Sequence, residues 1–363
     1  MINKITKATL IIVSFLIIFS TNSVTAQNNT TKKPKNIIFL IGDGMGTAQV
    51  YSALVAKKDK LNMARCKYVG FHKTYSANKF ITDSAAGATA FSTGQKTNNG
   101  YLAIDTNKMF LPTILEMACN KGLSTGLVVT CAVTHATPAA FIAHVDNRDN
   151  YEEIAKWFLK TDITVFLGGG RNHFEKRKDS LNLSDSLRAR NYQVVYKPSE
   201  MSRITSGKIA GLFYPEHPPK MADGRGDLLG QETAEAIRIL SQNKKGFFMM
   251  IEGSQIDWGG HNNDADYIVK ETVDFDDVVG QVLDFAEKDG NTLVVITADH
   301  ETGGFAITGG DIKNGTVEGK FSLKDHTAVM VPVFAFGPGA EEFIGIMQNT
   351  DIFFKFKSLL FGN

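Results

Sequence analysis

The stretch Asn36-Ile-Ile-Phe-Leu-Ile-Gly42, closed at once by Asp43, decides how the rest of the chain is read. Its apolar residues run on without a polar interruption. A strand with one wet face alternates polar and apolar side chains. A strand covered on both faces does not, and such strands belong to parallel sheets held between helices. Similar runs recur at Thr125 to Val129, Thr164 to Leu167, Gln193 to Tyr196, Phe247 to Ile251, Thr292 to Ile296 and Pro332 to Phe336. Between them lie amphipathic stretches such as Leu111 to Asn120, Glu232 to Ser241 and Tyr267 to Glu287. Strand and helix in alternation predict an α/β fold: a three-layer α/β/α sandwich around a central, mostly parallel sheet. The stretch from Arg171 to Lys220 is more polar and reads as a peripheral excursion, without a clean domain boundary.

The chain has 363 residues, 43% of them hydrophobic and 21% charged, which is ordinary globular composition with mass for a sizeable core. With 39 basic and 38 acidic side chains it lacks the basic excess of a nucleic-acid binder. The N-terminus reads as an export signal over residues 1–26. Lys4 and Lys7 precede an apolar run from Leu10 to Phe19, and Val24-Thr25-Ala26 offers small residues for cleavage. Export to the periplasm or the exterior is expected, with no membrane span once the signal is removed. Cys66, Cys119 and Cys131 are an odd number and form no zinc-type pair, so they read as buried or incidental thiols.

Three carboxylates stand just past apolar strands: Asp43, Glu252 after FFMMI, and Asp299 after LVVITA. Ligands of open α/β sheets bind outside the carboxyl ends of the strands. Acids delivered together to one sheet edge repel one another unless a cation lies between them, so the pattern points to metal. Asp257 and His261 are four residues apart, on one face of a helix or tight turn. His300 follows Asp299, and His326 lies just before the last strand. Asp with His is an N/O donor set suited to zinc and similar ions. His72, His144, His173 and His217 have no carboxylate at ligand spacing and read as surface or structural imidazoles.

The segment ITDSAAGATAFSTG, Ile81 to Gly94, opens with Thr82 or Asp83 as a helix N-cap. Its small residues let a helix lie close to the sheet, with Ser84 in the first turn. Free N–H groups and the positive dipole end there favour a phosphate. A serine hydroxyl needs activation, and metal coordination is one way to supply it. Spacing alone does not choose among Thr82, Ser84 and Thr89.

Six motifs, in order, resemble the alkaline phosphatase family: IGDGMG around Asp43, TDSAAGATAFSTG around Ser84, THATPAAFIAHVDNR from Thr134 to Arg148, IEGSQIDWGGHNND from Ile251, TADHETGG around Asp299 and DHTAVMVP around His326. The resemblance covers most of the chain after the signal. It implies a single alkaline-phosphatase-like catalytic domain over residues 27–363 that hydrolyses phosphate monoesters through a covalent phosphoserine on Ser84. It implies a zinc held by Asp257, His261 and His326, and a second zinc held by Asp43, Asp299 and His300 that also coordinates the Ser84 oxygen. A third ion, magnesium, would take Asp43, Thr137 and Glu252. Arg148 matches the arginine that grips the phosphate, and a homodimer is expected by resemblance alone.

His135 stands where many bacterial members have an aspartate beside the third metal, and Trp258 where they have a lysine. Histidine lowers the negative charge around the third ion; tryptophan removes a cation near the phosphate. Only 25 residues separate His300 from His326, which leaves little room for a large insertion there. A phosphodiesterase, phosphonate hydrolase or sulfatase of the same superfamily is the competing assignment. Ser84 with Arg148 favours a dianionic monoester instead, and TDSAAGATA lacks the sulfatase C/S-x-P-x-R pattern. A catalytically silent metal-binding protein on the same scaffold would be expected to have lost ligands, and none is missing.

Overall fold

The structure is a computed structural model that describes residues 33–362. The expected export signal at 1–26 lies outside the described residues. In chain order the strands are β1 (Asn36–Gly42), β2 (Tyr68–Lys73), β3 (Ser124–Ala132), β4 (Val165–Gly169), β5 (Tyr192–Val195), β6 (Lys208–Leu212) and β7 (Phe247–Gly253). There follow β8 (Thr292–Thr297), β9 (Glu301–Thr302), β10 (Phe305–Asp311), β11 (Thr316–Phe321), β12 (His326–Thr327), β13 (Val331–Phe336) and β14 (Gly345–Gln348). Ten of them form one sheet in the order β14-β2-β13-β8-β1-β7-β3-β4-β6-β5; β10 pairs with β11, and β9 with β12, outside it. Within the sheet β13 alone runs against its neighbours; the other pairings are parallel.

The uninterrupted apolar run of β1 is explained by where its side chains go. Ile37, Phe39 and Ile41 enter one core together with Ala85, Phe91, Phe141 and Phe356. Ile38 and Leu40 enter the other, with Val50, Leu240, Ile268 and Val279. Both faces of the strand are therefore dry, and each large apolar side chain buried contributes about 1.5–3 kcal/mol. Helices Ser84–Thr93 and Asn349–Phe361 cover the first face; Thr47–Ala56, Leu228–Leu240 and Ala265–Asp289 cover the second. Phe39 meets Phe91 and Phe356 edge-on at centroid distances of 5.4 and 5.1 Å. The fold is the expected α/β/α sandwich.

Each of the seven strands read from the sequence is present, with ends shifted by a few residues. The structure adds β2, β6 and β14 to the sheet. The segment read as a peripheral excursion is part of the sheet: it supplies β5 and β6, the last two strands at one edge. Among the described residues no helix is long and apolar enough to cross a membrane.

Candidate active site

Four neighbouring parallel strands, β8, β1, β7 and β3, end side by side at the middle of the sheet. Asp299 follows β8, Asp43 follows β1, and Glu252 is the second-last residue of β7; all three are fully buried. The register sets Ile41 beside Glu252, so Asp43 stands two residues beyond the level of Glu252. Next in the row is Cys131, near the end of β3. The chain leaves β1 through Gly44, whose φ of +73° favours glycine. A Cβ there would lie 2.7 Å from Asp257 Cα, so only glycine lets this turn approach the Ile256–His261 helix. The Gly44 amide donates to Asp299 Oδ1 at 3.2 Å.

Two of the ligand sets expected from the sequence are assembled. Asp43, Asp299 and His300 form one group, and Asp257, His261 and His326 another; in each, the ligand atoms lie within 4.8 Å of one another. His300 Nε2 is 3.2 Å from Asp299 Oδ2 and 3.5 Å from Asp43 Oδ1. His261 Nε2 is 3.3 Å and His326 Nε2 3.5 Å from Asp257 Oδ1. The helix from Ile256 to His261 carries Asp257 and His261 one turn apart, as their spacing predicts.

The backbone fixes which ring nitrogen faces the site. His261 Nδ1 is 2.7 Å from the Lys324 carbonyl oxygen, and His326 Nδ1 is 2.9 Å from that of Thr82. A carbonyl oxygen only accepts, so each Nδ1 carries the hydrogen and each Nε2 presents a lone pair. Thr302 spends its one hydroxyl hydrogen on Asp257 Oδ1, so it accepts from His300 Nδ1 at 3.2 Å. When neutral, all three imidazoles thus take the tautomer a metal requires.

The charges also call for cations. Asp43 Oδ1, Asp299 Oδ2 and Glu252 Oε1 are buried without a hydrogen-bond partner. Burial, and then the neighbouring acid Asp257, pushes Asp299 up to about 6. Burial raises Glu252 to about 7, and burial with Asp299 beside it raises Asp43 well above its ordinary value. Asp257 is held low despite its burial, because it is hydrogen-bonded to His261 and faces His300 and His326. Its carboxylate in turn raises His261 to about 9. Oxygen and imidazole donors in such a set fit divalent ions of the zinc class.

The three candidate hydroxyls separate clearly. Thr89 Oγ1 donates to the Tyr101 carbonyl and accepts from the Ala103 amide, which ties a loop to the helix. Thr82 Oγ1 donates to the Asp83 carbonyl. Ser84 Oγ lies 3.2 Å from His300 Nε2, at the first residue of the Ser84–Thr93 helix. The helix approaches closely because Gly87 lacks a Cβ, which would sit 3.1 Å from that of Asp299. Of the two caps allowed by the sequence, Asp83 is the one used: its Oδ1 accepts from the Ala86 amide at 3.0 Å. Its Oδ2 accepts from the Gly100 amide and from Arg148 Nη1, at 2.9 and 3.2 Å. The cap thus holds the arginine beside the helix N-terminus, a role that sequence spacing does not reveal.

The third position is more crowded than the sequence suggests. Thr137 Oγ1 donates to Asp43 Oδ2 at 3.4 Å. Glu252, however, groups with Cys131 and His135, whose ligand atoms all lie within 4.8 Å of one another. His135 is held neutral, pushed down to about 3 by burial and then by Arg148 and His217. Trp258 lies edge-on to His135 and His217, with ring centroids 6.1 and 4.8 Å away. His217 accepts from the Ala132 amide at 3.0 Å.

The remaining histidines are structural. His72 is buried against the Ala298 carbonyl, and His173 bonds Thr134 and Glu216. A cavity of about 630 Å³ lined by Phe110, Glu116 and His144 shares no residue with the site. His144 there has both ring nitrogens engaged, by the Ala103 carbonyl at 2.7 Å and by Glu116 at 2.9 Å.

Comparison with known proteins agrees with this geometry. The family model described as alkaline phosphatase matches residues 34–320. The chain is 40% identical over 324 residues to alkaline phosphatase 3 of Bacillus subtilis, covering 85% of this chain and 70% of that protein. It is 32% identical to the alkaline phosphatase of Escherichia coli, covering 92% of this chain and 88% of that one. The structure of alkaline phosphatase from the Antarctic bacterium TAB5 superposes with a TM-score of 0.88 at 43% identity, over 92% of this chain and 99% of that chain. By the family model over most of its length and by relatives of 32–43% identity, the chain belongs to the alkaline phosphatase family.

Proposed function

We propose that this chain carries out the phosphomonoester hydrolysis of its family through a phosphoserine on Ser84. The observation that carries the proposal is the position of Ser84 Oγ, 3.2 Å from His300 Nε2 at the head of a helix whose cap holds Arg148. Asp257, His261 and His326 would hold one zinc, and Asp43, Asp299 and His300 a second. Magnesium, as the resemblance implies, would lie by Asp43, Thr137 and Glu252. Bound ions supply acidity to the serine hydroxyl and neutralise charge on the transferring group.

The chain's own groups do the rest. Arg148 presents a planar fork to two phosphate oxygens, held in place by Asp83. The positive end of the Ser84–Thr93 helix favours the same anion. Ser84 Oγ bonds to phosphorus as the bond from phosphorus to the ester oxygen breaks, and the serine proton ends, through solvent, on the departing alcohol. Water then cleaves the Ser84 ester, its oxygen ending on phosphate and the serine proton restored. His261, with 37% of its side chain exposed, marks the open end through which an alcohol departs. Export, on the pattern of residues 1–26, a single catalytic domain over 27–363 and a homodimer belong to the same proposal, by resemblance to the family.

The test is hydrolysis of a chromogenic phosphate monoester, diester and sulfate, each with and without chelator. Chelator-sensitive activity highest on the monoester is expected. Faster turnover of the diester or sulfate would overturn the proposal.

A further inference from the structure

The loop that leaves β6 carries His217 in the sequence Tyr214-Pro-Glu-His-Pro-Pro-Lys220, and it is fastened along its length. Pro215, Pro218 and Pro219 restrict its backbone. The Tyr214 and Glu216 carbonyls accept from the amides of Arg171 and Gly170 at 3.0 and 2.6 Å. A Cβ on Gly169 would stand 1.9 Å from the Glu216 carbonyl oxygen, so glycine permits this approach. The Glu216 carboxylate is held by Asn172 Nδ2 at 2.7 Å and His173 Nε2 at 2.9 Å, and the Pro218 carbonyl by Gln255 Nε2 at 3.0 Å. Between these ties His217 Nδ1 accepts from the Ala132 amide, so the ring is neutral and its Nε2 carries the hydrogen. Burial, and then His173 nearby, holds it below the ordinary histidine value.

So rigid a mounting serves the ring that His217 meets. Its imidazole stands nearly perpendicular to the Trp258 indole, at 80° and a centroid distance of 4.8 Å. His135 stands against the same indole at 83° and 6.1 Å. Such edge-to-face pairs attract and fix the plane of the ring they hold. Trp258 and His261 are three residues apart on the Ile256–His261 helix, and residues at that spacing are neighbours on its surface. The indole is only partly buried. A planar apolar surface, held by two rings, is therefore set beside the open end at His261 through which the alcohol departs. Arg148 and the metal ligands address the phosphate; the indole addresses what the phosphate is attached to.

We infer that the Trp258 indole, positioned by His217, forms a subsite for the organic group of the substrate and selects aryl phosphate monoesters over small alkyl ones. A planar aromatic group gains contact with the indole face, and a methyl or ethyl group covers little of it. The inference rests on the reading of the site as a phosphomonoesterase and adds to it the class of alcohol. His217 acts through Trp258 and is a positioning residue.

The experiment reads binding, not turnover. Affinities of phenylphosphonate and methylphosphonate are measured by calorimetry on metal-replete Ser84→Ala protein, so that the shared head group cancels in their ratio. Phenylphosphonate should bind roughly tenfold more tightly, and adding Trp258→Ala should bring the ratio close to unity. His217→Phe keeps a ring against the indole and should keep the preference. His217→Asn keeps an oxygen for the Ala132 amide without the ring and should lose most of it. Trp157 and Trp258 are the two tryptophans of the chain, so in Trp157→Phe the emission belongs to Trp258 alone. Phenylphosphonate should change that emission and methylphosphonate should not. Equal affinities, a preference that survives Trp258→Ala or His217→Asn, or unchanged emission would overturn this inference alone. Binding of neither phosphonate would overturn the phosphate site together with it.

Discussion

His261 and His326 point their Nε2 atoms at each other across 3.2 Å, while each ring has given its Nδ1 hydrogen to a backbone carbonyl. Two lone pairs meet there with nothing between them. Either a proton or a metal ion must resolve the contact. Asp257 makes the proton tenable in the metal-free protein by raising His261 to about 9. An ion held by the three residues replaces it.

Metal-free protein should lose stability as pH rises. The His261 contribution is complete below its unfolded value of about 6.5 and is lost as pH passes through about 9. Glu252 and Asp299, raised to about 7 and about 6, add a penalty that sets in above the ordinary carboxylate range and is complete above about 7. Both effects have the same sign. Thermal unfolding midpoints measured with chelator and with zinc should therefore diverge between about pH 5 and about pH 9. A gap independent of pH would contradict this electrostatic picture.

Arg148→Ala should lower kcat/KM for a phosphate monoester by roughly 10- to 100-fold, the value of hydrogen bonds to a charged group. A diester offers the fork less charge and should lose less. Steady-state kinetics on the two substrates check the difference; equal losses would remove Arg148 from the phosphate.

Asp83 joins two functions that substitution can separate. Asp83→Ala should cost about 1 kcal/mol of stability through the lost cap and also weaken inhibition by phosphate. Asp83→Asn keeps an oxygen for the Ala86 amide but loses the charge facing Arg148. It should melt closer to wild type than Asp83→Ala, losing the acceptor of the Gly100 amide but keeping the cap, while phosphate inhibition weakens. Unchanged phosphate inhibition in both variants would show that Asp83 does not position the arginine.

Trp258→Lys should tighten inhibition by phosphate several-fold, since a cation a few ångströms from an anion is worth about 1 kcal/mol in a partly solvated site. The competitive inhibition constant for inorganic phosphate checks it. No change would separate the indole from the phosphate and leave it a packing partner of His135 and His217.

The central strands were legible because residues such as Ile37 to Ile41 are dry on both faces and carry no polar interruption. Tyr68–Lys73 was not: Tyr68 and Val69 are exposed, and the strand carries Gly70, His72 and Lys73. Lys208–Leu212 has too few large apolar residues to stand out. In the site, Asp257 and His261 could be paired because four residues make one helical turn. Cys131 could not be paired with Glu252, because 121 residues separate them and only the register of β3 with β7 brings them together. The cap at Asp83 was readable, yet its hold on Arg148 depends on a loop that returns 65 residues later.

The central claim is that Ser84 forms the covalent intermediate, and Ser84→Ala under metal-replete conditions tests it most directly. Wild type, quenched in acid during turnover of a phosphate monoester, should yield a phosphorylated Ser84 peptide by mass spectrometry. The variant should keep its metal content and fold, yield no phosphopeptide, and lose nearly all turnover. A variant with intact metal content and undiminished turnover would contradict the account and move the attack to water.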